Sequence, residues 1–132
     1  MSTMADIFQT ADWKTEKHVP VIECPDTVAS GAFFDVHVSL GKEIGHPNTS
    51  EHHIRWIQLN FKPAKGKISY QLGTFSLEAH GESAKGPDLG PVYTDHSVST
   101  RINIREPGEI IASAFCNIHG FWESSKTITL EN

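Results

Sequence analysis

The stretch that decides the fold is Ala32–Leu40, with the sequence AFFDVHVSL. Every second residue from Phe34 to Leu40 is apolar, and the residues between them are polar. A period of two places the apolar side chains on one face of an extended chain. This stretch therefore predicts a β-strand with one buried and one exposed face.

Comparable patterns lie on both sides of this strand. We predict six more strands, at Val19–Glu23, His53–Phe61, Lys67–His80, Ser97–Ile104, Glu109–Cys116 and Lys126–Leu130. Within the second of these the alternation shifts phase between Trp56 and Ile57, which indicates a bulge or burial on both faces. Gly-Pro pairs such as Gly86-Pro87 mark turns between the strands. The pattern predicts an all-β protein, an antiparallel sandwich or barrel of about seven strands.

The remaining segments are short or irregular. The best helix candidate is a short turn at Asp6–Ala11, and we expect Gly41–Glu51 to be the longest irregular stretch. A long loop in a small protein often carries function. Because the sequence shows no repeat and no linker, we expect one domain over residues 1–132.

Composition excludes several classes of function. The chain has 132 residues with 16 acidic and 11 basic side chains, for a net charge of −5. The acidic balance argues against nucleic acid as a partner, because phosphate binding needs a basic surface. No apolar run approaches the ~20 residues of a membrane-spanning helix. Met1–Thr10 does not resemble an export signal, so we expect a cytoplasmic protein whose two cysteines form no disulfide framework.

Histidine is the unusual component, with eight residues in this short chain. The sharpest motif is Cys116-Asn-Ile-His119-Gly, in which a thiol and an imidazole are three residues apart. A soft sulfur ligand beside an imidazole suits iron, copper or zinc better than calcium or magnesium. A buried cysteine with a nearby surface histidine gives the same pattern, so this motif alone is weak evidence.

Two further motifs add imidazoles. His46-Pro-Asn-Thr-Ser-Glu-His52 lies on the predicted loop, where both rings can converge, whereas His53 starts the next strand and points away from His52. The segment Glu16-Lys17-His18-Val-Pro20 combines an acid, a base and an imidazole. Each segment alone is typical of a solvated loop. Together the three motifs supply four imidazoles and one thiolate, too many for a closed tetrahedral zinc site.

In this order the three motifs resemble those of superoxide reductase of the one-iron type. These proteins are also called neelaredoxins, and they are similar to the iron-binding domain of desulfoferrodoxin. The resemblance extends from about Phe8 to Leu130 and includes Phe8–Trp13 and Val92–Asp95.

The resemblance implies an immunoglobulin-like β-sandwich that holds one iron ion per chain. The implied metal ligands are four equatorial histidines and one axial cysteine: His18, His46, His52, His119 and Cys116. Glu16 would fill the sixth position in the oxidised state, and Lys17 would attract the substrate. We expect the backbone amides of Ile118 and His119 to donate hydrogen bonds to the sulfur.

The implied reaction is the one-electron reduction of superoxide to hydrogen peroxide. An external donor such as rubredoxin would then reduce the iron again, and a homotetramer is the favoured assembly. Only one cysteine, Cys24, remains outside the motifs, so the second iron centre of two-iron relatives is not expected. We expect Cys24 to be a half-buried thiol. The other histidines, His37, His80 and His96, are expected at the surface or in hydrogen bonds.

Two other hypotheses compete with that of a superoxide reductase. A cupredoxin-like electron carrier also combines a cysteine and histidines on a small β-sandwich, but it typically adds a weak axial methionine. The only methionines here are Met1 and Met4, far in sequence from Cys116. The other reading is a non-enzymatic β-sandwich binding module with incidental histidines, which leaves the coincidence of three motifs unexplained.

Overall fold

The computed structural model describes all 132 residues and consists of β-strands joined by loops, with one single-turn helix. The helix α1 spans Met4–Ile7. The strands are β1 (Phe8–Gln9), β2 (Val21–Glu23), β3 (Thr27–Val28), β4 (Phe34–Ser39), β5 (Ile54–Pro63), β6 (Tyr70–Ser76), β7 (Ser97–Ile102), β8 (Gly108–Cys116) and β9 (Gly120–Leu130). The helix is far too short to cross a membrane, and the chain has no other.

The strands form two sheets. The larger has the order β1-β9-β8-β5-β6, with β3 paired to β9 beside this path, and the smaller has the order β2-β4-β7. Pairing is antiparallel throughout, except that the two-residue strands β1 and β3 run parallel to β9. The predicted all-β, immunoglobulin-like sandwich is confirmed, with two short strands beyond the seven expected.

The core lies between the sheets and follows the alternation seen in the sequence. Along β4, Phe34, Val36 and Val38 are buried and the intervening side chains are not. These residues belong to one cluster of 17 buried side chains, which also receives Ile57 and Leu59 from β5. Burial of each large aliphatic side chain contributes roughly 1.5–3 kcal/mol, which makes the cluster the main source of stability.

The phase shift predicted near Trp56 is present as an irregularity in β5. Ile54 pairs with Cys116 and Trp56 pairs with Phe115, so Arg55 has no partner on β8. From Ile57 onward the strand again alternates between buried and less buried residues. The extra residue lets Ile54 and Ile57 both point into the core.

Several boundaries differ from the sequence prediction. The helix predicted at Asp6–Ala11 lies earlier, because Asp6 accepts a hydrogen bond from the backbone amide of Thr3 and Phe8 pairs with Phe121 instead of continuing the helix. The strand predicted at Lys126–Leu130 begins at Gly120, and the one predicted at Lys67–His80 is shorter at both ends. The longest irregular stretch is residues 77–96, not Gly41–Glu51.

Candidate metal centre

The hairpin between β8 and β9 presents two of the predicted site residues. Cys116 ends β8, Gly120 begins β9, and the two residues pair directly. Gly120 has φ +84°, a conformation that glycine adopts without the strain of a Cβ atom. The three residues between them form a tight turn that directs Cys116 inward and leaves His119 at the surface.

The loop before β5 carries two more of the predicted site residues, His46 and His52. His46 precedes Pro47, which favours an extended backbone at the histidine. Gly41 lets this loop fold back closely, because a Cβ atom there would lie 2.5 Å from the backbone nitrogen of His46. At the other end of the loop, the backbone amide of His52 donates to Oγ1 of Thr49 at 3.0 Å. The loop thereby turns back on itself between the two histidines.

The fourth imidazole comes from the segment before β2. His18 is buried, with 5% of its surface exposed, and it is followed by the buried residues Val19 and Pro20. The ring of Trp122 stacks on His18 with 5.0 Å between ring centroids. His18 therefore reaches the same end of the sandwich as the β8–β9 hairpin.

Four imidazole rings meet there in a closed quadrilateral. Neighbouring ring centroids are 4.9 Å apart for His18 and His46, 4.9 Å for His46 and His52, 5.0 Å for His52 and His119, and 4.7 Å for His119 and His18. His18 and His52 face each other across it at 6.4 Å. This spacing accommodates one ion bound by imidazole nitrogens at the usual distance of about 2.1 Å.

The donor atoms converge as well. Nδ1 of His119 lies 3.2 Å from Nε2 of His18 and 3.2 Å from Nε2 of His52. Sγ of Cys116 lies 3.8 Å from the same Nδ1 atom. The possible ligand atoms of these four residues all lie within 4.8 Å of one another. A cluster of three nitrogens and one sulfur at this spacing is a potential metal site.

The outer nitrogens of two rings are held by acceptors. Nδ1 of His18 lies 2.6 Å from Oε1 of Glu16, and Nδ1 of His46 lies 2.6 Å from the carbonyl oxygen of Pro47. Each acceptor favours the tautomer that leaves Nε2 unprotonated and free to bind a metal. Nε2 of His46 is buried and has no hydrogen-bond partner in the protein. A bound metal ion would satisfy this nitrogen, so the residues present fit a metal.

The pKa values of the site favour neutral imidazoles. Burial lowers the pKa of His46 to about 3. Burial also lowers the pKa of His18, against the opposing effect of its hydrogen bond to Glu16, and it lowers the pKa of His52 together with the charge of His119. Because only a neutral imidazole can bind a metal, these three rings are in the required state at neutral pH.

Cys116 is fully buried, with 0% of its surface exposed. Its sulfur accepts a hydrogen bond from the backbone amide of His119 at 3.4 Å. This is one of the two donors expected from the sequence; the amide of Ile118 makes no such bond. Backbone amide donors of this kind are common around sulfur atoms that bind metals.

Glu16 and Lys17 lie next to the quadrilateral. The carboxylate of Glu16 accepts hydrogen bonds from both the ring and the backbone amide of His18. Burial raises the pKa of Glu16, but these hydrogen bonds outweigh burial and lower it. Burial is the main cause of the lowered pKa values of His18 and His52, and the positive charge of Lys17 adds a smaller contribution to both.

Sequence reasoning gave no role to Asn117, although the residue lies inside the Cys116–Gly120 motif. Its Oδ1 accepts the backbone amide of His53 at 2.9 Å, and its Nδ2 donates to the carbonyl oxygen of Glu51 at 2.8 Å. Asn117 thus fastens the β8–β9 hairpin to the loop that carries His52. Its position between the two predicted ligands Cys116 and His119 is the only feature of the sequence that indicates this role.

The predictions for the histidines outside the site are only partly confirmed. His37 and His80 make hydrogen bonds, as expected. His96 was also expected at the surface or in a hydrogen bond, but it is half-buried beside the ring of His46 and its Nδ1 has no partner. Cys24 is half-buried, as predicted, and burial raises the pKa of its thiol.

Known proteins resemble the chain over nearly its whole length. A profile of the desulfoferrodoxin family matches residues 10–125. The neelaredoxin of Megalodesulfovibrio gigas is 65% identical over 97% of this chain and 98% of its own length.

Solved structures with the same fold also match the chain over nearly its whole length. A candidate superoxide reductase from Thermotoga maritima has a TM-score of 0.97 and 48% identity, with complete coverage of both chains. The superoxide reductase (neelaredoxin) of Archaeoglobus fulgidus in its reduced form has a TM-score of 0.87 and 48% identity, covering 94% of this chain and 99% of its own.

Proposed function

This chain belongs to the desulfoferrodoxin family, and on that premise we propose that it is a superoxide reductase. It would transfer one electron to superoxide and release hydrogen peroxide. The observation that carries the proposal is the convergence of four imidazole rings and one buried thiol at one end of the sandwich. The names of the similar proteins from Megalodesulfovibrio gigas and Archaeoglobus fulgidus support the same activity.

We assign the metal as one iron ion per chain. Its protein ligands would be the four rings and the thiolate: His18, His46, His52, His119 and Cys116. Five donors exceed the four of a closed zinc site, and mixed imidazole and thiolate donors suit iron. Iron in this site would supply the single electron by cycling between its ferrous and ferric states.

The fully buried sulfur of Cys116 has a defined task in this proposal. As a thiolate ligand it would donate electron density to a bound metal, and the hydrogen bond from the amide of His119 at 3.4 Å would limit that donation. Burial between the sheets keeps water from this sulfur. The buried position and the amide hydrogen bond would thereby define the surroundings of the proposed sulfur ligand.

Lys17 would recruit the substrate. The net charge of −5 repels a superoxide anion, so a local positive charge is needed near the metal. The Nζ ammonium of Lys17 would attract the anion and hold the water that delivers protons to the product. Its influence on the pKa values of His18 and His52 supports this placement.

Glu16 would close the site in the oxidised protein as the sixth ligand. Its carboxylate accepts hydrogen bonds from the ring and the backbone amide of the proposed ligand His18, two residues along the chain, and so lies beside the quadrilateral. Replacing Glu16 with alanine should change the visible spectrum of the oxidised protein and leave the reduced protein active. An unchanged oxidised spectrum across a range of pH would exclude Glu16 as a ligand.

An external one-electron donor such as rubredoxin would restore the reduced metal. His119 is exposed, and its neighbour Ile118 has 55% of its surface exposed, so a partner can approach the proposed ligands closely. We further propose a cytoplasmic location and a homotetrameric assembly, as expected from the sequence analysis. The cupredoxin-like alternative is not favoured, because Met1 and Met4, the only methionines, are exposed at the N-terminus.

The activity is tested by the stoichiometry of superoxide consumption. We expect pulse radiolysis of the reduced, iron-loaded protein to show one peroxide formed for each superoxide consumed, without dioxygen. His37→Gln is the matched control, because it removes an imidazole that bonds Ser99 away from the site, and it should react like the wild type. Release of dioxygen with half as much peroxide would identify a dismutase and contradict the proposal.

A further inference from the structure

The long segment between β6 and β7 lies against the loop that carries two of the proposed ligands. We call residues 77–96 the strap and residues 46–52 the ligand loop. The backbone amide of Ser50 donates to Oδ1 of Asp88 at 2.8 Å, and the backbone amide of Asp88 donates to Oγ of Ser50 at 3.0 Å. This reciprocal pair joins the middle of the ligand loop to the strap.

Two further hydrogen bonds flank this pair. Oγ of Ser50 donates to the carbonyl oxygen of His80 at 3.1 Å. Nδ2 of Asn48 donates to the carbonyl oxygen of Thr94 at 2.9 Å. Asn48 and Ser50 both lie between His46 and His52, so the strap holds the part of the loop that sets the distance between these two rings.

The strap is itself well fixed. The backbone amide of Thr94 donates to the carbonyl oxygen of Ala79 at 2.7 Å, and that of Gly81 donates to Val92 at 3.0 Å. Asp88 has φ +62°, a left-handed conformation that few residues with a side chain adopt and that aspartate tolerates better than most. This backbone conformation of Asp88 directs its carboxylate toward Ser50.

A buried pair of rings gives the strap a second contact with the site. His80 stacks on His53 with 3.5 Å between ring centroids and an angle of 10° between the ring planes, and both rings are buried. His53 follows the proposed ligand His52 and pairs through its backbone with Asn117, next to Cys116. Through this stack the strap supports the hairpin as well as the ligand loop.

We propose that Asp88 is a positioning residue, and that with His80 it holds the ligand loop in the conformation in which His46 and His52 converge. The inference rests on the proposed function, because the rings it positions are the proposed iron ligands. A loop held in place before the metal binds loses less conformational freedom on binding. The strap would therefore slow the release of the metal without touching it.

Three variants separate this role from general stability. Asp88→Gly removes the acceptor and permits the same backbone conformation, whereas Asp88→Asn keeps an Oδ1 acceptor and removes the charge. Asp35→Ala is the control, since it deletes another exposed carboxylate, the partner of Arg101 across β4 and β7. Asp88 and Asp35 are both exposed, so all three proteins are expected to fold.

Two measurements test this role. The first is amide hydrogen exchange of the metal-free proteins. The second is the rate at which the iron-loaded proteins transfer iron to ferrozine. We expect Asp88→Gly to speed exchange at residues 48–52, and to speed iron transfer, by roughly three- to tenfold, as for loss of one hydrogen bond. Asp88→Asn should restore both rates, and exchange along β8 should not change. Equal rates in Asp88→Gly and Asp35→Ala, or no rescue by Asp88→Asn, would overturn the inference.

The two proposals fail in different ways. A wild-type protein that binds no iron would contradict the proposed function. The exchange comparison is made on metal-free protein, so it would still decide whether Asp88 holds the ligand loop.

Discussion

The sandwich core and the site end of the molecule both contain buried side chains, but of different chemical kinds. The core cluster has 17 members, all of them aliphatic or aromatic side chains apart from Cys116. Of the five buried polar residues in the chain, four are histidines near the site: His18, His46, His53 and His80. Apolar side chains need only be close-packed, whereas a buried imidazole needs a partner for its nitrogens.

Because the two regions are stabilised differently, we expect their stability to depend on different conditions. Core stability depends on packed volume and changes little with pH or metal. The imidazoles are stabilised by particular acceptors, such as Glu16 for His18 and the carbonyl of Pro47 for His46, and by neutrality of the ring. We therefore expect acid and metal removal to act on the site end, and loss of apolar volume to act on the core.

Cys116 belongs to both regions, since its side chain is fully buried in the core cluster and its sulfur faces His119. Cys116→Ser keeps the size of the side chain and removes the soft donor, so we expect complete loss of the thiolate-to-iron absorption in the oxidised protein. Cys24→Ser, which changes the other, half-buried thiol, should keep the absorption. If the colour persists in Cys116→Ser, this cysteine is not the sulfur ligand.

Ile57 tests the core alone, because it is fully buried on β5. Ile57→Ala should lower the free energy of unfolding by roughly 2–4 kcal/mol through lost burial and a residual cavity. Urea denaturation of the metal-free protein measures this. Ile68→Ala, at a side chain with 70% of its surface exposed, should change stability by less than about 0.5 kcal/mol. Equal effects of both variants would mean that the core is not the source of stability described here.

The metal-free protein should lose stability on acidification. Burial lowers the pKa of His46 to about 3, and burial also lowers the pKa values of His18 and His52. Between about pH 6.5 and pH 3 the unfolded chain therefore binds more protons than the folded chain, so the free energy of unfolding falls as pH falls through this window. At about pH 5 the loss from His46 alone is at most about 2 kcal/mol.

His46→Gln isolates that contribution. Denaturation curves of the metal-free variant at a series of pH values should show a shallower dependence of stability on pH than the wild type. The same slope in both proteins would show that His46 is not held neutral by the fold.

Lys17→Ala has the smallest expected effect. Removing one positive charge near the site should slow the reaction with superoxide by about three- to tenfold at low salt, and by less at high salt, because salt screens the attraction. Lys65→Ala, in the exposed turn between β5 and β6, is the matched control. Pulse radiolysis that gives the same rate for both variants at low salt would contradict the role proposed for Lys17.

The regions also differ in how far the sequence predicts them. The period of two in Ala32–Leu40 predicts β4 and its buried face correctly, because burial on one face of a strand imposes that period. The strands β1 and β3 have two residues each and were missed, because a period cannot be recognised over so short a length. The helix near Asp6 was misplaced for the related reason that Phe8 gains a partner, Phe121, far along the chain.

At the site, the motifs predict which residues meet but not what holds them. His18, His52, Cys116 and His119 converge as expected, and the ring of His46 completes the quadrilateral. The contacts between Asp88 and Ser50 join residues 38 positions apart, and no local pattern marks them. The proposed role of Asp88 therefore depends on the fold of the whole strap.

The identity of the metal can be determined by metal analysis of anaerobically purified protein, with visible spectra recorded before and after mild oxidation. We expect about one iron per chain bound by four imidazoles and one thiolate, with a nearly colourless reduced protein and a blue oxidised protein. Stoichiometric copper whose colour disappears on reduction would favour the electron carrier instead. No stoichiometric metal after reconstitution with ferrous iron would contradict the assignment of these five residues as an iron site.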